Sequence, residues 1–113
     1  LIITVDNGIA ACDEVAWLVS QGVDVVVTDH HEPGDLVPQG VPVTDPKLLE
    51  TCASRELAGA GVALKLVDEL GRRMGQPQLW RRYVEVAMLG TLSARKIAAS
   101  ISLLYSPMKK GLL

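Results

Sequence analysis

The sequence predicts an α/β fold built on a parallel, Rossmann-like sheet, with helices following the third strand. Three observations predict it. Two short apolar, β-branched runs, "LIITV" (1–5) and "VDVVVT" (23–28), flank a stretch of helical period. Both runs end in polar residues rather than in a two-residue hairpin turn. A loop rich in proline and glycine then leads to a third short run and two helical stretches.

The elements follow in order. "LIITV" has the continuous apolar character of a parallel strand. "DNGI" breaks it. Residues 11–21 read as a helix, with Asp13 and Glu14 in the first turn, where the helix dipole favours acids. Val15, Leu18 and Val19 give it an apolar face, and Gly22 suits its end. "VDVVVT" closes a βαβ unit, whose strands run parallel. Residues 33–47 carry Pro33, Gly34, Pro38, Gly40, Pro42 and Pro46, a loop with a short third strand in "VPVTD". Residues 57–75 predict a helix of about 15 residues, with Gly71 and Gly75 at its end. A further helix is predicted from Gln76-Pro77 through about Leu89. Leu79, Trp80, Tyr83, Val84, Ala87 and Met88 are its candidate core contacts.

The chain has 113 residues, enough for one domain or a piece of one, and 49% are hydrophobic, so a buried core is available. No apolar run approaches the roughly 20 residues a spanning helix needs. No basic segment and cleavage-type end marks a signal peptide. Cys12 and Cys52 read as reduced thiols of a cytoplasmic protein rather than a disulfide framework. The first residue, Leu1, already sits in a strand pattern, so the chain reads as a fragment. Charge is split: residues 1–54 hold nine acids and one base, a net of −8, and residues 55–113 hold four acids and ten bases, a net of +6. An acidic half suits cations and a basic half suits phosphates, although solvated helix faces give the same pattern. Nothing in the sequence signals an oligomeric state.

The chemistry gathers at one edge. Asp6 follows the first strand; Asp29, His30 and His31, the last two being the only histidines, follow the second. Parallel strands place both ends on the same sheet edge, about 4.8 Å apart, where open α/β sheets bind ligands. "DNG" is also a hairpin signal, but the helix that follows argues against a hairpin. Neutral imidazole is a frequent metal ligand, and carboxylates suit Mn²⁺ or Mg²⁺. Neighbouring residues on a strict strand point to opposite faces, so His30 and His31 share an ion only if the chain turns there. Otherwise one ligates and the other contacts substrate.

"TVDNGI", then a helix, "VDVVVTDHHEPG", "PVTDPK" and "LAGAGVALKL" together resemble the DHH phosphoesterase superfamily, and within it the RecJ-type exonuclease branch, over about residues 1–92. The triplet alone is weak; the ordered set is specific. The resemblance implies a two-ion site using Mn²⁺ or Mg²⁺ that activates water against a phosphodiester, with ions roughly 3.5–4 Å apart. It implies that Asp6 bridges the ions, that His30 ligates, and that His31 touches the scissile phosphate or supports the metal shell. Asp29 would orient the histidines from behind. Gly59, Ala60 and Gly61 resemble a helix start whose N–H groups face phosphate, with tight packing as the alternative.

The chain also departs from that pattern. The family's Asp-x-Asp strand has no counterpart and is expected upstream of Leu1. Its later Ala-Asp pair is missing after "MLGT", and no acid follows Glu85. Residues 1–91 are therefore read as a partial domain and 92–113 as a divergent tail, consistent with a reading-frame shift near residue 92. The resemblance implies a fragment, inactive by itself, of a 5′→3′ exonuclease acting on single-stranded DNA in repair and recombination. The alternatives are a phosphatase of oligonucleotides or small phosphate esters, and a non-catalytic fragment that binds nucleic acid weakly through Arg72, Arg73, Arg81 and Arg82.

Overall fold

The computed structural model describes residues 1–94; the rest of the stretch predicted as a tail, 95–113, lies outside the described residues. The chain folds as two compact units, the first Leu1–Arg55 and the second beginning at Glu56.

The first unit is a three-stranded, all-parallel sheet in the order β1 (Ile2–Ile3), β2 (Val25–Thr28), β3 (Val43–Thr44), with α1 (Cys12–Ser20) between the first two strands. Ile2 pairs with Val25, and Thr28 pairs with Thr44. The α/β fold and all three predicted strands are present, though shorter than their apolar runs. The core is Val15, Val25 and Val27, with Ala11, Leu18, Val23, Val41 and Val43 packed around it. Val15 therefore seats α1 as its spacing predicts. Val19 does not: it is 43% exposed, because one helical step of 100° past Leu18 turns it away from the sheet. β1 is an edge strand, and Ile2 and Ile3 are exposed. Such an apolar edge is prone to association.

Pairing between β1 and β2 continues past β1. Thr28 N–H reaches Thr4, and the Thr28 hydroxyl donates to the Thr4 carbonyl at 2.6 Å. The Thr4 hydroxyl donates to the Asn7 carbonyl at 2.8 Å, closing the turn. Gly8 makes that turn possible. Its φ is +110°, and a Cβ there would lie 2.9 Å from Thr4 Oγ1 and 3.0 Å from Val27 Cγ1. Gly8→Ala is expected to destabilise the first unit by about 2–3 kcal/mol, from a disfavoured backbone plus overpacking. Urea unfolding measures it; a loss below about 0.5 kcal/mol would contradict this account of the turn.

The second unit begins with α2 (Gly59–Arg73), 15 residues as predicted. Its core is Leu57, Val62, Leu64 and Ala87, with Ala60, Trp80 and Val84 packed against it. The predicted 76–89 helix is interrupted. Residues Leu79–Arg82 form a 3₁₀ turn, Tyr83 at φ −118° caps it and starts the next helix, and α3 runs Val84–Ser93. Leu79, Arg81 and Tyr83 each donate to the carbonyl three residues back, a tighter winding than an α-helix allows. Tyr83 is consequently exposed, whereas Ala87 is buried. Gly75, at φ +72°, ends α2 as its position suggests. Gly71 does not end it. It lies inside the helix, where a Cβ would meet the Gln76 carbonyl oxygen at 2.7 Å and Leu79 Cβ at 2.9 Å, so it is a close-approach residue. Among the described residues, no helix is long and apolar enough to cross a membrane.

Candidate metal centre

The carboxyl edge of the sheet gathers Asp6 after β1, Asp29 to His31 after β2 and Asp45 after β3. Asp6 has φ +64°, the only non-glycine residue with positive φ among the described residues. Aspartate tolerates this left-handed conformation better than most residues. The Thr4–Thr28 clasp fixes the chain just before it. Asp6 Oδ1 lies 2.8 Å from His30 Nε2.

Asp29 is the hub of the site. It is 1% exposed and accepts four hydrogen bonds. Ile9 N–H donates to Oδ2 at 2.9 Å. His30 N–H donates to Oδ1 at 2.7 Å, and His31 N–H at 3.3 Å. His31 Nδ1 is 2.6 Å from the same Oδ1. Burial pushes the Asp29 carboxyl up, but the bonds from Ile9, the His31 ring and the His30 and His31 N–H groups together hold it below the usual carboxylate range. An ionised Asp29 makes the His31 Nδ1 a donor and leaves its Nε2 as the free lone pair.

The strand ends at Thr28, so the strict alternation that would separate the two histidines does not apply. Their ring centroids are 4.5 Å apart. Asp6, His30 and His31 each offer a ligand atom, all within 4.8 Å of one another. One carboxylate and two imidazoles suit a divalent transition ion, with Mn²⁺ inside that range. The donor set fits one ion; a two-ion site needs more carboxylates than these residues supply.

The sequence reading did not single out Asp45, which is 7% exposed. Its Oδ1 accepts the Lys47 N–H at 2.8 Å, capping a 3₁₀ turn at Pro46–Leu48. Burial raises its pKa above the ordinary aspartate value; the Lys47 N–H works against that, the Asp29 charge adds to it, and the His30 and Lys47 charges oppose it. Gly59, Ala60 and Gly61 belong to the second unit. α2 begins there without a side-chain cap. Gly61 N–H already donates to the Ala58 carbonyl at 2.9 Å, so the earlier N–H groups are those left to face an anion. Ala60 Cβ would lie 2.7 Å from a Cβ at Gly90, so the same turn is also a packing contact with α3.

The two buried carboxylates predict a two-sided pH profile. Asp29 is ionised more readily in the fold, so its contribution is present above about 3.9, the ordinary aspartate value, and lost as pH falls below it. Asp45 favours its neutral form in the fold, so stability declines as pH rises through its raised value. Urea midpoints should peak at mildly acidic pH and fall steeply below about pH 4. Asp45→Asn should flatten the neutral side and leave the acid limb. A neutral side unchanged in that variant would show that another group produces it.

Comparison with known proteins places the chain in a family. The profile of the DHH family, N-terminal domain, matches residues 1–91. The single-stranded-DNA-specific exonuclease RecJ of Bacillus subtilis (strain 168) is 43% identical over 94 residues, covering 82% of this chain and 11% of its own length. A crystal structure of RecJ in complex with Mn²⁺ from Thermus thermophilus superposes with TM-score 0.69 at 40% identity, covering 80% of this chain and 14% of that one. A crystal structure of exonuclease RecJ bound to manganese gives TM-score 0.76 at 35% identity, covering 91% of this chain and 27% of that one. The chain thus spans a small part of each relative. With its DHH triplet on the sheet edge and the profile matched across nearly all the described residues, the chain belongs to the DHH family.

Proposed function

We propose that this chain is the metal-binding portion of a RecJ-like, metal-dependent 5′→3′ exonuclease that hydrolyses single-stranded DNA in repair and recombination. The observation that carries the reading is the convergence of Asp6, His30 and His31 ligand atoms within 4.8 Å at the carboxyl edge of the sheet. Its relatives by sequence are single-stranded-DNA-specific exonucleases, and its structural relatives hold manganese. Mn²⁺ or Mg²⁺, when bound, would supply an activated water and charge stabilisation at a phosphodiester. Asp6 and His30 hold the metal. His31, oriented by Asp29 through Nδ1, presents Nε2 to the metal or to the scissile phosphate. At the start of α2, the Gly59 and Ala60 N–H groups offer donors to a phosphate, whereas the Gly61 N–H is taken by Ala58. In this reading residues 1–91 are a partial DHH domain and 92–113 a divergent tail. The parent enzyme works in the cytoplasm, on its DNA.

Three protein donors hold one ion and not a two-ion site, so the chain by itself is expected to be inactive. The Arg72-Arg73 pair does not favour a purely DNA-binding role: Asp68 holds Arg72, and Glu69 holds Arg73 at 2.7 Å. Electron paramagnetic resonance of Mn²⁺, beside hydrolysis of a 5′-labelled oligodeoxynucleotide, tests both parts. The expected result is one bound Mn²⁺ and no robust hydrolysis. Absence of Mn²⁺ binding would overturn the metal roles. Vigorous hydrolysis would overturn the claim that the site is incomplete.

A further inference from the structure

Among the described residues, two buried side-chain polar atoms have no hydrogen-bond partner: His30 Nδ1 and Asp45 Oδ2. The sheet register brings their residues together. Thr28 pairs with Thr44, and Asp29 N–H donates to the Thr44 carbonyl at 3.0 Å. Asp45, the residue just past β3, therefore stands level with Asp29, whose next residue is His30. A buried polar atom left unpaired costs roughly 1–3 kcal/mol, and these two are complementary, a ring nitrogen that can donate and an oxygen that can accept.

The competing partners are engaged. Asp29 spends its oxygens on Ile9, His30 N–H and His31. Lys47 Nζ is held by Glu32 at 2.8 Å. Asp45 Oδ1 caps the 3₁₀ turn, leaving Oδ2. His30 Nε2 faces Asp6, leaving Nδ1.

We propose that Asp45 is a positioning residue for His30: its Oδ2 accepts the His30 Nδ1–H, directly or across one bound water, and so leaves Nε2 as the lone-pair nitrogen. Its purpose rests on the metal-site reading above, because a histidine ligand needs its other nitrogen fixed as a donor. The tautomer itself does not depend on that reading. The DHH pair thus has two separate supports. Asp29 fixes His31 within its own strand end, and Asp45 fixes His30 from β3.

The test is the His30 tautomer, read by long-range ¹H–¹⁵N correlation on the ¹⁵N-histidine-labelled full chain, without metal, in mildly alkaline buffer. Asp6→Gly removes the competing acceptor at Nε2 and keeps a residue that accepts positive φ. The expected result is Nδ1–H on His30 in this background. Adding Asp45→Asn, which points an N–H at Nδ1, should convert it to Nε2–H. Asp45→Ser keeps an oxygen for the cap but is too short to reach the ring, and should do the same. Nε2–H in the Asp6→Gly chain, or a tautomer indifferent to Asp45, would overturn the proposal. In the otherwise unaltered chain, Asp45→Asn should weaken Mn²⁺ by about 10–100-fold. Failure of the unaltered chain to bind Mn²⁺ would count against the metal reading alone, since the tautomer experiment needs none.

Discussion

Replacing Asp29 by alanine is expected to cost the first unit about 3–5 kcal/mol, enough to unfold a marginally stable chain outright. The reason lies in its partners. The carboxylate is buried and ionised, and it satisfies the Ile9, His30 and His31 N–H groups and the His31 ring. Removing it strands several donors at once, each carrying its own desolvation cost. Asp29→Asn keeps the volume but turns one acceptor into a donor facing N–H groups, so it should cost nearly as much. Urea denaturation, or circular dichroism if no folded baseline remains, measures both. A loss of less than about 1 kcal/mol for the alanine variant would mean that water replaces the carboxylate easily, and that the hub is not structural.

Replacing the two histidines by alanine should separate stability from metal binding. His31→Ala removes a ring whose side chain is 59% exposed. Its loss removes one hydrogen bond to the buried Asp29 carboxylate and should cost about 1 kcal/mol. His30→Ala empties a buried position and should cost about 1–3 kcal/mol. Both should weaken Mn²⁺ beyond the roughly 10–100-fold seen when an outer partner is lost, because each offers a ligand atom. Isothermal titration with Mn²⁺ checks this. Unchanged Mn²⁺ affinity in His30→Ala would remove that residue from the site.

The sequence made the parallel sheet legible because its signals are local. The apolar runs, the breaker residues and a helical period between them suffice for β1, α1 and β2. The same reasoning placed Asp6, His30 and His31 at one edge, since parallel strands must end together. What it missed depends on register and on hydrogen bonding at a distance. Asp45 follows a strand of two residues inside a proline-rich loop, and nothing nearby in sequence marks it as buried. Thr4 and Thr28 are ordinary β-branched residues until pairing brings the hydroxyl of one to the carbonyl of the other. The break at Tyr83 was hidden because apolar spacing across 79–88 fits one helix as well as two short pieces. The division after Arg55 carries no linker composition at all, and only the folded contacts show it.

The left-handed turn at Asp6 also limits how this site can decay. Glycine, asparagine and aspartate are the residues that enter such a conformation readily. A mutation there to almost any other residue is opposed by the backbone, whatever happens to the metal. The two tolerated neighbours, glycine and asparagine, each lie one base change from an aspartate codon and carry no charge. Random drift at this position therefore has an open path towards a chain that folds normally and lacks the Asp6 carboxylate. In a duplicated or damaged gene copy, binding is expected to disappear before the architecture does.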